Sequence, residues 1–206
     1  MRKSALRQMR YMINILAAIA TIVAMSACNK LEDQVTAQET NFERYLTGQK
    51  AYDREDFDYE NNSTLNVKFY DKIDGVYRYI VNENRENRPA EDSTILKGDS
   101  IWVYYDAYTF EGTRRGKVFD TNRESTIKSN LPNLTPDYWS TDPLRIKVGD
   151  RQMMASIDNA LEGCRPGDEV QFLLTTDKAY GKRPLGVVPQ YSAVMFVLYI
   201  EYYSKQ

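Results

Sequence analysis

The sequence contains 206 residues, and its 27 basic and 29 acidic side chains give a net charge of −2. A charge this close to balance provides no basic surface of the kind that nucleic acids bind, so we expect no nucleic-acid partner. The sequence has no histidine, which excludes Ser-His and Cys-His nucleophilic machinery and histidine-ligated zinc sites. A chain of this length suits one domain with an N-terminal extension.

The N-terminus has the pattern of an export signal, because several basic residues precede a mostly apolar run over residues 13–25. This run is shorter than the roughly 20 residues that span a bilayer. Residues 24–28, Ala-Met-Ser-Ala-Cys, resemble the bacterial lipobox, in which the signal is removed before a lipid-bearing cysteine. We therefore predict a lipoprotein-type signal peptide over residues 1–27 and lipidation of Cys28. An ordinary signal peptide with an incidental Cys28 is the alternative.

Lipidation predicts a cell-envelope protein that is anchored to a membrane through Cys28, on the periplasmic or outer-membrane face. The sequence has two cysteines, so an acylated Cys28 leaves Cys164 without an intramolecular disulfide partner. The surroundings of Cys164 favour a small buried apolar residue over a nucleophile.

Residues 28–74 are predicted to form a tether and an N-terminal extension with a helix and part of a hairpin. Residues 29–35 are polar and predict the tether itself. The spacing of Phe42 and Leu46 predicts a short amphipathic helix over residues 36–46.

An acidic, turn-rich stretch covers residues 52–63, and alternate acids at Asp56, Asp58 and Glu60 raise the question of calcium binding. The glycine and the closing glutamate of an EF-hand loop are missing, however. The sequence therefore favours a solvated linker and predicts no metal site here.

The rest of the chain is rich in predicted strands. Asp74-Gly75, between two aromatic and β-branched runs, predicts a hairpin over residues 66–82. One short helix is predicted over residues 156–161. Further strands are predicted over residues 100–108, 144–148, 169–175 and 193–203. Many antiparallel strands with one helix indicate the α+β class, with the helix covering one sheet face.

Residues 75–203 resemble the FKBP-type peptidyl-prolyl isomerases in the order and spacing of short motifs. Each motif is a weak signal alone, and it is their combined order that indicates the family. The motifs are Gly-Val-Tyr-Arg-Tyr-Ile-Val (75–81), Gly-Asp-Ser-Ile-Trp-Val-Tyr-Tyr (98–105), Gly-Lys-Val-Phe-Asp-Thr (116–121), Pro-Leu-Arg-Ile-Lys-Val-Gly (143–149), Ala-Leu-Glu-Gly (160–163), Arg-Pro-Gly-Asp-Glu (165–169), Ala-Tyr-Gly (179–181) and Ala-Val-Met-Phe (193–196). The resemblance implies an FKBP-like domain over residues 75–206, with an antiparallel sheet wrapped around one short helix.

The same resemblance implies the position of a substrate pocket. Tyr180, Asp120 and Tyr105 occupy positions where the family places its polar, catalytic contacts. The implied substrate-binding residues are Phe119, Leu144, Met153, Met154, Ile157, Val188 and Phe196. Ile157 departs from the family pattern, which has a tryptophan at the pocket floor, and Leu144 stands where the family has an aromatic residue.

The implied activity is cis–trans isomerisation of X-Pro bonds, which breaks no covalent bond and therefore requires no nucleophile, metal or cofactor. The expected partner is a proline-containing peptide or an unfolded exported protein. Because of the altered floor, a catalytically weak or inactive peptide-binding module is the alternative. A structural subunit of a surface lipoprotein complex is a third hypothesis.

The segment over residues 124–142 is longer than in compact members of this family, and it has apolar content around Trp139. Loops of this length are usually functional. We expect this segment to fold over the pocket side.

Overall fold

A computed structural model of the chain describes residues 30–62, 67–130 and 139–205. The chain divides into two compact units, Met1–Ala37 and Gln38–Gln206. The predicted signal peptide and Cys28 lie outside the described residues, as do the apolar residues over 131–138 of the predicted long segment. Among the residues that are described, no helix combines the length and the apolar character that crossing a membrane requires.

Helices are few in the described ranges and strands dominate. The helices are α1 over residues 30–48, α2 over Glu124–Ser129 and α3 over Ala155–Ala160, with a 3₁₀ turn at Glu91–Ser93. The strands are β1 (Ala51–Asp53), β2 (Lys68–Ile73), β3 (Val76–Ile80), β4 (Ser100–Glu111), β5 (Arg114–Thr121), β6 (Leu144–Lys147), β7 (Glu169–Leu174) and β8 (Ala193–Ser204). This content confirms the α+β class.

The strands described above form one sheet in the order β1-β2-β3-β7-β8-β4-β5, and β6 pairs with β4 beside this path. β1 and β2 are parallel, and the other pairs are antiparallel. β8 lies in the interior of the sheet between β7 and β4. Its run Ala-Val-Met-Phe-Val-Leu is apolar without alternation, because a strand that is covered on both faces needs apolar side chains on both.

The predicted hairpin is present, since β2 and β3 pair antiparallel around Asp74 and Gly75. Both turn residues have positive φ, 51° and 80°, as a type I′ turn requires. The predictions for the later strands and for α3 are also confirmed. Strand β5 was not predicted as a strand, because its first residues, around Arg114 and Arg115, are charged and exposed. Helix α2 was not predicted either.

The N-terminal segments differ from their predictions in extent. Residues 30–35, which were predicted as tether, are helical. The acidic stretch contributes the short strand β1 before its turns. The Asp58 carboxylate there accepts hydrogen bonds from the N–H groups of Glu60 and Asn61, both at 3.1 Å, as an Asx turn does. The predicted domain limits, 28–74 and 75–206, stay predictions, and the limit between them lies in the β2–β3 turn.

Both faces of the sheet carry an apolar cluster, because alternate residues of each strand point to opposite sides. On β7, Val170, Phe172 and Leu174 join the cluster around Ile157 of helix α3, which we call the α3 face. Leu173 of the same strand joins the cluster on the opposite side, which we call the α1 face. That cluster includes Phe42 and Leu46, both fully buried side chains of helix α1. Cys164 is buried in the α3-face cluster, where burial raises the pKa of its thiol to about 12, as expected for an inert residue.

A buried carboxylate stabilises the loop that leads into β7. Asp168 accepts hydrogen bonds from Arg85 at 2.6 Å and from Arg88 at 2.8 Å, and its side chain has no exposed area. It also accepts the backbone N–H of Arg165 at 2.9 Å. The two guanidinium groups and the amide provide the partners that a buried charge requires.

Candidate functional site

The α3 face brings together nearly all the residues that were predicted to form the pocket. They come from β4, β5, the start of α3, the segment after β7, and β8, which the antiparallel topology places side by side. The residues that pack with this cluster are Tyr105, Phe119, Met153, Met154, Ile157, Tyr180, Val188 and Phe196. These positions are distant in sequence, so their assembly depends on the fold.

Two aromatic rings of this group pack against the ring of Phe119. The ring of Phe119 lies 5.9 Å from that of Tyr180 and 5.8 Å from that of Phe196, and both pairs are edge-to-face. This arrangement is favourable for the ring quadrupoles and fixes the orientation of Phe119. Phe119 and Tyr180 remain partly exposed, so a ligand can contact their rings.

Three apolar side chains of the site are almost completely buried. Ile157, Val188 and Phe196 have 0%, 1% and 4% of their surface exposed, and Phe119 and Tyr180 pack against the cluster that contains them. We call these three residues the dry floor of the site. Met153 and Met154 are partly buried beside them. The structure thus places Ile157 at the predicted floor position, and unbranched methionines supply adaptable walls around it.

The polar component of the site is the pair formed by Tyr105 and Asp120. The hydroxyl of Tyr105 donates a hydrogen bond to the carboxylate of Asp120. Burial raises the pKa of Asp120 above its ordinary value, although this hydrogen bond acts in the opposite direction. Burial and then the nearby Asp120 charge raise the pKa values of both Tyr105 and Tyr180. Both hydroxyls are therefore protonated at neutral pH. The Tyr105 hydroxyl donates to Asp120, and the Tyr180 hydroxyl is available as a donor to a ligand.

Leu144 lies at the rim of the site. It is 37% exposed and lines a neighbouring cavity of about 490 Å³ together with Tyr105, Asp120, Trp139 and Arg145. The sequence prediction treated Leu144 as a wall of the apolar pocket, whereas the structure places it at this adjoining cavity. Of the described residues in the predicted long segment, Trp139, Ser140 and Asp142 line this cavity.

A larger cavity, of about 870 Å³, adjoins the site on the side of Phe119. Tyr108, Lys117 and Phe119 line it from the sheet, and Asn130 and Val187 line it from the surrounding segments. The sequence did not predict this cavity, because its lining residues come from segments that are distant in the chain and meet only in the folded protein.

The loop before α3 is fixed by a residue that the sequence analysis did not single out. Asp158 is 1% exposed, and its carboxylate accepts the backbone N–H groups of Gly149 at 2.9 Å and Arg151 at 3.0 Å. These bonds hold the segment that carries Met153 and Met154. The sequence signal for this role was the position of Asp158, an acidic residue next to the apolar Ile157 in the predicted short helix.

Tyr180 and Val188 belong to the loop over residues 176–191, which we call the 176–191 loop. A two-bond bridge joins Leu185 to Val188, with N–H···O distances of 3.0 and 2.8 Å. Ser156 of α3 donates its hydroxyl to the carbonyl of Lys178, just before the loop's pocket residue, at 2.9 Å. The tip is exposed at Leu185 and Val187, so apolar side chains face solvent beside the site.

Metal chemistry receives no support from the described parts of the chain. Across residues 30–62, 67–130 and 139–205, no three cysteine, aspartate or glutamate side chains are grouped as metal ligands. The side chains at the site offer apolar contacts together with hydroxyl and carboxyl hydrogen bonds.

Comparison with known proteins gives the family. The sequence pattern of the FKBP-type peptidyl-prolyl cis-trans isomerases matches residues 91–200, a range that contains every pocket residue named above. The chain is also similar to FK506-binding protein 1A of Neurospora crassa, with 28% identity over 102 residues, which are 49% of this chain and 84% of that protein. The match covers more than half of the sequence and includes strands β4 to β7, most of β8, helix α3 and the site, so this chain belongs to the FKBP-type peptidyl-prolyl cis–trans isomerase family.

Proposed function

We propose that this protein isomerises X-Pro bonds in unfolded exported proteins, and that the pocket on the α3 face binds the proline. The observation that carries the proposal is the combination of a dry floor at Ile157 with partly exposed aromatic rings at Phe119 and Tyr180. A proline ring is compact and apolar, and it suits a site of this kind.

Rotation about an X-Pro bond has a barrier of roughly 20 kcal/mol, because twisting breaks the amide resonance. A site accelerates the rotation when it binds the twisted amide more tightly than either planar form. The apolar walls exclude water from the amide, and the protonated hydroxyl of Tyr180 donates to its carbonyl oxygen. The carboxylate of Asp120 accepts a hydrogen bond from the Tyr105 hydroxyl and thereby holds the ring of Tyr105 at the edge of the pocket.

The proposed location is the cell envelope, with a lipid on Cys28 as the membrane anchor. The support is the sequence pattern around residues 24–28, with its basic and apolar residues upstream. An enzyme held at this position meets exported chains before they fold, when their X-Pro bonds are still accessible. Slow X-Pro isomerisation limits the folding of many chains, so such an enzyme has a defined task there.

A direct test measures cis–trans exchange of a short X-Pro peptide by NMR, with the full chain kept in solution by a mild detergent. We expect enhanced exchange with the wild-type protein and weaker enhancement with Tyr180→Phe and Asp120→Ala. Tyr45→Phe is the matched control, because Tyr45 donates to Gln171 at 3.1 Å on the α1 face, away from the pocket.

The same NMR spectra distinguish an isomerase from the alternative, a module that binds peptides without catalysis. Peptide shift changes without enhanced exchange favour a binding module in which Ile157 has replaced a catalytic floor. The absence of both effects contradicts the proposed pocket and leaves the family membership unaffected.

The anchor is tested independently by feeding a labelled fatty acid to cells that produce the protein. We expect label in the wild-type protein and in Cys164→Ala, and no label in Cys28→Ala. A wild-type protein without label would instead indicate an ordinary signal peptide.

A further inference from the structure

The N-terminal helix reaches the pocket loop through one side chain. Gln38 of α1 accepts the backbone N–H of Thr176 through its Oε1 atom at 2.8 Å. Its Nε2 atom donates to the backbone carbonyl of Tyr191 at 2.9 Å. Thr176 and Tyr191 are the two ends of the 176–191 loop, so a single amide group connects both of them.

The loop ends also bond to each other through Gly181. The N–H of Gly181 donates to the carbonyl of Thr176 at 2.9 Å, and its own carbonyl accepts the N–H of Tyr191 at 2.6 Å. Gln38 and Gly181 thus make four hydrogen bonds at one place, which we call the neck of the loop. Tyr180 is the residue immediately before Gly181, so the neck determines where its ring and hydroxyl lie.

Helix α1 is itself held firmly where Gln38 lies. Phe42, one turn after Gln38, has no exposed surface, and Leu46, one turn further, is equally buried. Phe42 contacts the rings of Tyr77 and Phe110 at centroid distances of 5.4 and 5.1 Å. Residues four apart share one helix face, so this packing directs the Gln38 side chain toward the neck.

An amide side chain suits this position because it offers one acceptor and a donor together. A buried backbone group that loses its hydrogen-bond partner destabilises the folded state. Thr176 is fully buried, which makes its N–H dependent on the Oε1 atom of Gln38. The family pattern begins at residue 91, so Gln38 lies outside the part of the chain that the family defines.

We propose that Gln38 is a positioning residue for prolyl isomerisation, which fixes the 176–191 loop and with it the Tyr180 hydroxyl. This inference rests on the proposed function of the pocket. It makes the N-terminal extension a part of the enzyme's active form, because its helix supplies two of the four hydrogen bonds at the neck.

The test compares variants of the full chain in detergent by peptide exchange and by amide hydrogen exchange. Gln38→Met keeps the length of the side chain and removes both hydrogen bonds. We expect its kcat to fall about fivefold with little change in KM, which corresponds to about one lost hydrogen bond in the transition state. Gln38→Glu retains the acceptor for Thr176 N–H, and we expect an intermediate kcat.

Two controls separate positioning from general stability. Arg44 is exposed on the same helix, and Arg44→Ala is expected to retain the wild-type kcat. Asp168→Asn removes a buried charge from the loop before β7 and leaves α1 and the neck untouched, so we expect a lower Tm and a nearly wild-type kcat below that temperature. A fall in kcat in Asp168→Asn that matches Gln38→Met would contradict a specific role for Gln38.

A double variant identifies the residue through which Gln38 acts. If Gln38 works by placing Tyr180, Gln38→Met combined with Tyr180→Phe is no slower than Tyr180→Phe alone. Additive losses would overturn the inference.

Amide hydrogen exchange distinguishes the failure of this inference from the failure of the proposed function. We expect faster exchange at Thr176 and Tyr191 in Gln38→Met than in the wild-type protein, whether or not the protein turns over a peptide. Unchanged exchange at both amides overturns the inference, and an inactive wild-type protein overturns only the proposed function.

Discussion

The two faces of the sheet use similar residues for different purposes. On the α1 face, Phe42, Tyr77 and Phe110 are almost completely buried, and the ring of Phe42 contacts the other two rings. On the α3 face, Phe119 and Tyr180 also contact each other, yet both remain partly exposed beside a dry floor. On the α1 face the rings are enclosed and serve as core residues. On the α3 face the rings of Phe119 and Tyr180 are only partly covered, so a ligand can contact them. The faces should therefore respond in opposite ways to substitution.

The largest expected effect is on stability and belongs to the α1 face. Phe42→Ala removes a fully buried ring and leaves a cavity, so we expect the free energy of unfolding to fall by about 3–5 kcal/mol. Urea denaturation measures this loss. Below the unfolding transition, kcat/KM for an X-Pro peptide should fall no further than in Gln38→Met, because Phe42 lies on the opposite side of the sheet and acts on the pocket through the Gln38 side chain. A large loss of kcat/KM in fully folded protein would contradict the separation of the two faces.

The second prediction concerns the matching ring on the α3 face. Phe119→Ala removes the contacts with Tyr180 and Phe196 and widens the pocket, so we expect kcat/KM to fall roughly 10- to 100-fold. The stability loss should be smaller than for Phe42→Ala, because the ring is partly exposed. Tyr202→Ala is the control, since Tyr202 is an exposed aromatic residue of β8. Equal kcat/KM values for these two variants would contradict a role for Phe119 in binding.

The third prediction separates two tyrosine hydroxyls. Tyr180→Phe should lower kcat/KM about tenfold through one lost hydrogen bond to the substrate carbonyl, with little effect on stability. Tyr45→Phe loses the bond to Gln171 and should lower stability by about 1 kcal/mol without changing the rate. Peptide exchange and thermal unfolding of the two variants measure both quantities. A reversed pattern would mean that the polar chemistry of the site has been assigned to the wrong residue.

These contrasts also show what the sequence can and cannot predict. Local signals located the β2–β3 turn at Asp74-Gly75 and the later strands, because turn geometry and apolar runs act over a few residues. The charged start of β5 around Arg114 and Arg115 concealed a strand whose stability comes from its pairing with β4. The family resemblance gave the pocket residues, since their distant positions meet only after folding. The rim position of Leu144 and the neck at Gln38 depend on contacts between remote segments, and no local pattern records them.

The smallest predicted effect belongs to Asp120, a half-buried acid of the site whose pKa shift is opposite in direction to that of the buried Asp168. Burial raises the pKa of Asp120 and outweighs the hydrogen bond from Tyr105. The folded protein therefore binds this proton more tightly than the unfolded chain, so the ionised carboxylate destabilises the fold at neutral pH. Asp120→Asn removes the charge and keeps an acceptor for Tyr105. We expect it to raise stability at pH 7 by less than about 1 kcal/mol, because the site is partly exposed.

Asp168 provides the comparison with the opposite sign. Burial alone would raise its pKa, but the hydrogen bonds from Arg88 and Arg85 outweigh this and lower it. The stability that ionised Asp168 contributes is therefore present above its unfolded pKa of about 3.9 and lost as the pH falls through the lower folded value. Asp168→Asn should be less stable than the wild-type protein at pH 7, and the difference should shrink as the solution is acidified below pH 4.

Denaturation of both variants between pH 7 and pH 3 measures these differences. For Asp120→Asn, the small gain should disappear as the pH falls through the raised folded pKa toward the unfolded value, because the wild-type carboxyl then becomes neutral as well. A loss of stability in Asp120→Asn at pH 7 would show that the hydrogen bond from Tyr105 outweighs the burial of the charge. The ionised carboxylate of Asp120 would then stabilise the fold as that of Asp168 does. The pocket would in that case lack the loss of stability that is common at functional sites and absent from a core.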